Sequence, residues 1–235
     1  MEEPKELKVV TYNIQGHAAS RRSDHVPKLA EVITATNPDI VGLQEVHCGT
    51  RAFRGDQARQ IADLTGLNLA FGRSCGMDGG DYGNAVLTKG KVLRAHVHPL
   101  PGSGEPRSVM QADVEVRGLE LSFFVTHLAA WGRLLRVQRL RQVAELGDII
   151  ARGSLPHILV GDFNVAPGAE ELQALLSHGH LRACGEPREV TFPMMRQRLD
   201  YVFCDPRWTF LSSEVIRQGP SDHWPVVVDL ALQTE

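Results

Sequence analysis

The sequence predicts an α/β protein in which two packed, mixed β-sheets are flanked by helices. Three observations point that way. Strand-like and helix-like segments are interleaved along the whole chain. Two strand runs between 108 and 127 are joined directly as a hairpin, which breaks the steady alternation of a doubly wound sheet. No Gly-rich phosphate fingerprint follows the first strand.

The elements follow in order. LKVVTYNI (7–14) is β-rich and carries a polar residue, Asn13, near its end. Residues 24–36 place Val26, Leu29, Ala30 and Ile33 at helical spacing, with Asp24 as N-cap and Asn37-Pro38 as the stop. DIVGLQEV (39–46) is a near-continuous apolar run, the pattern of a strand buried on both faces. A short helix over 56–65 precedes strands at 67–72 and 84–88, with a Gly-rich loop, CGMDGGDYG, between them. SVMQADVEV (108–116) and LELSFFVTH (119–127) turn at Arg117-Gly118. Residues 134–151 form a helix whose apolar face is Leu135, Val137, Leu140, Val143, Leu146, Ile149 and Ile150. PHILVGDFN (156–164) is a buried strand with a polar tip, and 169–179 is a helix closed by Gly179. Strands at 198–205 and 224–230 lie within a remainder of strand and loop.

Composition excludes several classes. Of 235 residues, 43% are hydrophobic, 23% charged and 6% aromatic, the balance of a globular protein in water. No run approaches the roughly 20 apolar residues of a membrane span. The charged start, MEEPKELKVV, is not a signal peptide, so a cytoplasmic location is expected unless a leader precedes this chain. The net charge of −3 argues against a broad basic surface for long nucleic acid, though a local basic groove stays open. Four cysteines without a C-x-x-C pair exclude zinc-finger spacing and read as free thiols. No linker, repeat or low-complexity stretch divides the chain, so one domain over 1–235, acting as a monomer, is expected.

The chemistry lies where the apolar runs stop. Asn13, Glu45, His127, Asp162, Asn164, Asp200, Asp222 and His223 each fall at a strand-like end or in a loop leading into one. Strand ends converge on one sheet edge, so residues distant in sequence can meet there. Taken singly, each has an ordinary explanation: Glu45 as a solvated charge, GDFN as an Asx turn, His127 as a half-buried histidine. Together, four carboxylates, two imidazoles and two amides make a site for a hard, oxygen-liganded cation such as Mg²⁺, with room for a phosphate.

These residues also resemble a known family. TYNI (11–14), LQE (43–45), GNAVLT (83–88), THL (126–128), GDFN (161–164), RLDYVF (198–203) and SDHWP (221–225) are similar to the motif series of the endonuclease/exonuclease/phosphatase superfamily, the DNase I-like fold. The resemblance runs from about Leu7 to Leu230 and implies a four-layer α/β sandwich that cleaves phosphoesters with Mg²⁺ or Mn²⁺. It implies Glu45 as principal metal ligand, with Asn13 beside it and Asp222 binding metal directly or through water. Asp162 would deprotonate the attacking water, with Asn164 holding water or phosphate. Asp162 and Asn164 are also candidates for the metal's coordination. His223 would contact a non-bridging phosphate oxygen, oriented by Asp200. His127 matches the histidine of the DNase- and sphingomyelinase-like members rather than the tyrosine of abasic-site nucleases.

Arg107 and Trp131 are candidate substrate contacts, and Trp224 and Tyr82 could complete an apolar rim. Arg139 and Gln142 read as structural. The expected function is hydrolysis of a phosphodiester or phosphomonoester. Compact length and acidic charge favour a small-molecule or lipid-headgroup substrate, reached through peripheral contact if a lipid. A DNase-like or DNA-repair nuclease is the first alternative. A catalytically inactive binding module is the second, and no site residue is missing to support it.

Overall fold

Among residues 5–130 and 132–233, the ones the computed structural model describes, twelve strands form two six-stranded sheets. The strands are β1 (Lys5–Asn13), β2 (Ile40–Cys48), β3 (Asn68–Met77), β4 (Gly80–Thr88), β5 (Lys91–Leu100), β6 (Arg107–Val116), β7 (Leu119–His127), β8 (His157–Asp162), β9 (Arg182–Cys184), β10 (Asp200–Cys204), β11 (Trp208–Val215) and β12 (Val226–Leu232). The helices are α1 (His25–Thr36), α2 (Gln57–Thr65), α3 (Arg136–Ala151) and α4 (Glu170–Ser177). One sheet has the order β11-β12-β1-β2-β4-β3 and the other β5-β6-β7-β8-β10-β9.

Each sheet is antiparallel except at its centre. There β1 runs parallel to β2, and β7 parallel to β8. A parallel pair needs a crossover, and α1 and α3 supply the two. Alternation along the strands then builds four layers. Leu7, Val9, Val86, Phe123, Val160 and Val228 fill the gap between the sheets. Val10, Tyr12 and Val41 face outward under α1 and α2. Phe124, Leu159 and Phe203 do the same under α3 and α4. The predicted sandwich of two mixed sheets between helices is the observed fold.

Several local expectations change. Asp24 occupies the N-cap position of α1, but its carboxylate pairs with Lys28 Nζ at 2.5 Å and caps nothing. Asn37 ends the helix as expected, in the left-handed region at φ 49°. Asp56 does cap α2, accepting from the Arg59 N–H at 2.9 Å. The buried face of α3 is Arg139, Gln142, Val143, Leu146, Ile149 and Ile150. Val137 points to solvent, because 3.6 residues per turn puts it on the far side from Arg139. The Gly-rich stretch is not a loop but the facing ends of β3 and β4, closed by Asp78 and Gly79 at φ 48° and 86°. The edge strand β5 is an addition to the predicted elements.

Candidate active site

In sheets with parallel strands, ligands gather beyond the carboxyl ends of those strands. Here Asn13 ends β1, His127 ends β7 and Asp162 ends β8. Register aligns the second sheet's contribution: His127 pairs with Asp162 across β7/β8, and Asp162 with Asp200 across β8/β10. Glu45 belongs to β2 and is re-aimed by a bulge, where pairing with β4 shifts between Leu43 and Val46. It sits in the left-handed region at φ 61°, a strained conformation for a non-glycine residue. Gly16 packs directly on that bulge; a Cβ there would lie 2.0 Å from the Glu45 carbonyl oxygen.

The buried amide of Asn13 joins the sheets. Its Nδ2 donates to Glu45 Oε1 and to Asp162 Oδ2, each at 3.0 Å. Its Oδ1 accepts from the Gln15 N–H at 3.0 Å, which sets the amide's orientation. Asp162 Oδ1 accepts from the Asn164 N–H at 2.9 Å. Asp162 Oδ2 lies 3.5 Å from His127 Nε2 and 3.8 Å from His223 Nε2. Asn164 stands at φ 55° and donates Nδ2 to the Leu128 carbonyl at 3.1 Å, so its own Oδ1 is the atom left to accept.

His223 is held on three sides. Its Nδ1 lies 2.8 Å from Asp200 Oδ2, its N–H donates to Ser221 Oγ at 3.1 Å, and the Phe192 ring lies 4.8 Å from its own. Ser221 Oγ in turn donates to the Asn13 carbonyl at 2.7 Å. Thr191 Oγ1 accepts from the N–H groups of Leu199 and Asp200, and the Thr191 carbonyl accepts from the Trp224 N–H at 2.7 Å. Thr191 and Phe192 were invisible in sequence, since TF lies in a stretch with no periodic pattern.

The cluster opens on a cavity of about 350 Å³ lined by Glu45, Arg107, His127, Asp162, Asn164, Asp222 and His223. Asn13 and Asp200 sit just behind the lining, touching it through Asp162 and His223. His17, His47 and Tyr82 are also in the wall. His17 Nδ1 is 3.7 Å from Glu45 Oε2, and Tyr82 stacks edge-on against His47 at 4.9 Å. Arg107 lies in the cavity wall with its side chain only 9% exposed, 3.0 Å from Glu105 Oε1. Trp131 lies outside the described residues. Trp224 does not form a rim; it packs against the core between the sheets. Arg139 and Gln142 are structural. Arg139 Nε donates to buried Glu171 at 3.0 Å and its Nη1 to the Ala130 carbonyl, while Gln142 accepts from the Ala129 N–H at 2.9 Å.

Burial and charge divide the titrating groups. Burial pushes Asp162 well above the ordinary carboxylate range, the charge of His223 opposing and that of Asp200 adding. Burial would lower His223, but the charge and hydrogen bond of Asp200, with Asp162 and Asp222 behind them, lift it to about 10. Burial drives His127 far below the usual value, with Arg107 adding to that, so its imidazole is neutral at pH 7. Burial would raise Glu45, but the His17 contact and the neighbouring imidazoles and Asn13 amide outweigh it and hold the carboxyl at about 2. Burial raises Asp222.

The donor set suits a hard cation. Two carboxylates, Glu45 and Asp162, converge on one amide, and Asp222 shares their cavity. Asp162, Asp200 and His223 also offer ligand atoms within 4.8 Å of one another. In that trio Asp200 Oδ2 and His223 Nδ1 are taken up with each other, while Asp200 Oδ1 is buried without a partner among the described residues. Glu45, Asp162 and Asp222 offer carboxylates to the cavity, and Asn13 stands behind them with its Oδ1 engaged by the Gln15 N–H.

The sequence profile of the endonuclease/exonuclease/phosphatase family matches residues 10–223. The chain belongs to that family. Its members are hydrolases acting on phosphoester bonds. Among relatives, the Escherichia coli protein YbhP is 28% identical over 218 residues, covering 83% of this chain and 84% of its own. Among solved structures, an endonuclease/exonuclease/phosphatase family protein of Bacteroides thetaiotaomicron superimposes with a TM-score of 0.82 at 23% identity, covering 99% of this chain and 100% of that one. A mannosyl-6-phosphatase of the same organism gives 0.77 at 24%, covering 95% and 99%. At those identities the likeness establishes the shared fold.

Proposed function

We propose that this family member is a Mg²⁺- or Mn²⁺-dependent phosphoesterase in which Asp162 deprotonates the attacking water, acting on a small-molecule or lipid-headgroup phosphoester. One observation carries the reading: Asp162 Oδ2 faces Asn13, His127 and His223 at the floor of the cavity that Glu45 also lines. A carboxylate with a raised pKa, held by fixed donors at a cavity floor, is a general base matched to neutral pH.

The other residues follow from their partners. Glu45 and Asp222 would hold the metal, with Asp162 and Asn164 at its margin and Asn13 behind them orienting Glu45 and Asp162 through its Nδ2. Bound there, the ion would neutralise charge on the phosphate oxygens. Donation of Nδ1–H to Asp200 leaves His223 Nε2, also protonated, to donate to a non-bridging oxygen as negative charge builds on it. His127 is neutral and contributes one donor or one acceptor at Nε2. Asn164 Oδ1 is free to accept from the attacking water and so aim it, and the second Nδ2–H is free to donate to a phosphate oxygen. Arg107 supplies a fixed positive charge at the cavity wall for the phosphate. The compact cavity favours a small phosphoester over a duplex, and the phosphatase named among the structural neighbours catalyses a reaction of this class.

The deciding experiment is a substrate panel of bis-p-nitrophenyl phosphate, p-nitrophenyl phosphate, inositol phosphates, phospholipids and plasmid DNA, each with Mg²⁺, Mn²⁺ or EDTA. Metal-restored turnover on the small phosphoesters is expected. Full turnover in excess EDTA, or cleavage of DNA alone, would overturn the reading.

A further inference from the structure

A second cavity, of about 480 Å³, adjoins the first and shares Asn164 and Leu199 with it. Val165, Ala166, Ala169 and Met195 give it an apolar floor. Its lip is built by two segments, residues 132–137 and 193–196. The first is anchored from below: Arg139 holds the Ala130 and Gly132 carbonyls while its own charge is neutralised by buried Glu171. The second is a single 3-10 turn, Pro193–Met195.

Large apolar side chains crowd this lip and face water. Leu134 is 96% exposed, Met194 74% and Val137 56%, and Met195 is exposed beside them. These are four of the nine exposed large apolar side chains among the described residues, placed on two short segments that meet at one cavity. Neither Leu134 nor Met194 lines either cavity, so packing around a small polar substrate does not account for them. Arginines alternate with them: Arg133 and Arg136 on the first segment, Arg196 on the second. Arg136 leans on Glu170 of α4. Protruding apolar tips interleaved with arginines, on a chain of net charge −3, are the composition of a surface that enters a lipid headgroup layer and is drawn by its negative charge. No helix among the described residues is long and apolar enough to cross a membrane.

We propose that segments 132–137 and 193–196 dock the protein on an anionic phospholipid surface, and that the second cavity receives the apolar part of a phosphoester lifted from it. The two cavities share Asn164 and Leu199 in their walls, so an apolar part seated in the second would leave its phosphate at the mouth of the first, on the side of Asp162. The second half of this inference rests on the phosphoesterase reading. In that reaction the water oxygen bonds to phosphorus as its proton goes to Asp162. One P–O ester bond breaks, and the departing alkoxide leaves as the alcohol by taking up, through water, the proton that Asp162 accepted, which restores the base.

The test is co-sedimentation of the whole protein with vesicles of phosphatidylcholine alone or mixed with phosphatidylglycerol. The wild type is expected to sediment with the mixed vesicles, and at least about tenfold less with phosphatidylcholine alone. The exposed double variant Leu134→Glu/Met194→Glu is expected to lose sedimentation by about tenfold or more, with its melting temperature and its turnover of soluble bis-p-nitrophenyl phosphate unchanged. Wild-type protein left in the supernatant with anionic vesicles, or a double variant that sediments fully, would overturn the docking surface. Vesicle binding is read without any turnover, so an inactive protein that sediments as expected supports the surface while overturning the hydrolase reading.

Discussion

The side chains of Asn13 and Asp162, from different sheets, meet at 3.0 Å through one hydrogen bond, Asn13 Nδ2–H to Asp162 Oδ2. The same nitrogen reaches Glu45 Oε1. One amide therefore spaces the two carboxylates on which the proposed chemistry depends. Hydrogen bonds to charged groups contribute about 1.5–3 kcal/mol, so Asn13→Ala is expected to lower kcat by about 10- to 100-fold. Steady-state kinetics beside a thermal melt checks this. A variant that only melts earlier, with turnover per folded molecule intact, would make Asn13 a strut and nothing more.

Asp162→Asn keeps the size of the side chain and removes the base. It is expected to lower kcat by about 10²- to 10⁴-fold with KM nearly constant. A near-normal kcat would transfer the base to another group, with His223 next in line by distance.

His223→Ala and His127→Ala are each expected to cost about 10²-fold in kcat/KM, and the double variant less than the product. The two differ in origin. His223 is a cation held by Asp200, whereas His127 is neutral and its Nδ1 is buried without a partner. A His127→Ala protein that unfolds early but hydrolyses normally would remove His127 from the site.

The buried neutral histidines make stability fall on acidification. Burial lowers His25 and His47 below the ordinary 6.5, so the unfolded chain binds more protons than the folded one as pH drops past that value. Their contribution is complete above 6.5 and is lost towards the folded values. His223 acts oppositely: its contribution is complete below 6.5 and is lost as pH rises through about 10. Asp162 and Asp222, raised by burial, work the other way over the same range, so a decline of melting temperature from about pH 7 to about pH 5 is expected in an Asp162→Asn background, where the larger opposing group is gone. His25→Gln, which can still donate to the Ile14 carbonyl, should flatten that decline. An unchanged slope in the variant would assign the acid loss elsewhere.

Residue periodicity and burial by themselves determined most of the fold. The central strands β1, β2, β7 and β8 are legible because a strand buried on both faces must be apolar throughout, and a polar residue at its end then stands out. That is how Asn13, His127 and Asp162 could be singled out. The edge strand β5 was not legible, since KVLRAHVHPL is mostly exposed and its pairing slips between Val92 and Arg94. The β3–β4 hairpin hid behind its glycines for the opposite reason, turn chemistry reading as loop. Only the tertiary structure decided the geometry of the site. The left-handed bulge at Glu45, the cross-strand register of His127, Asp162 and Asp200, and the bracing of His223 by Phe192 and Thr191 all depend on contacts between strands far apart in sequence. Local pattern specifies which face of an element is apolar; which polar ends then meet is settled by how two twisted sheets pack.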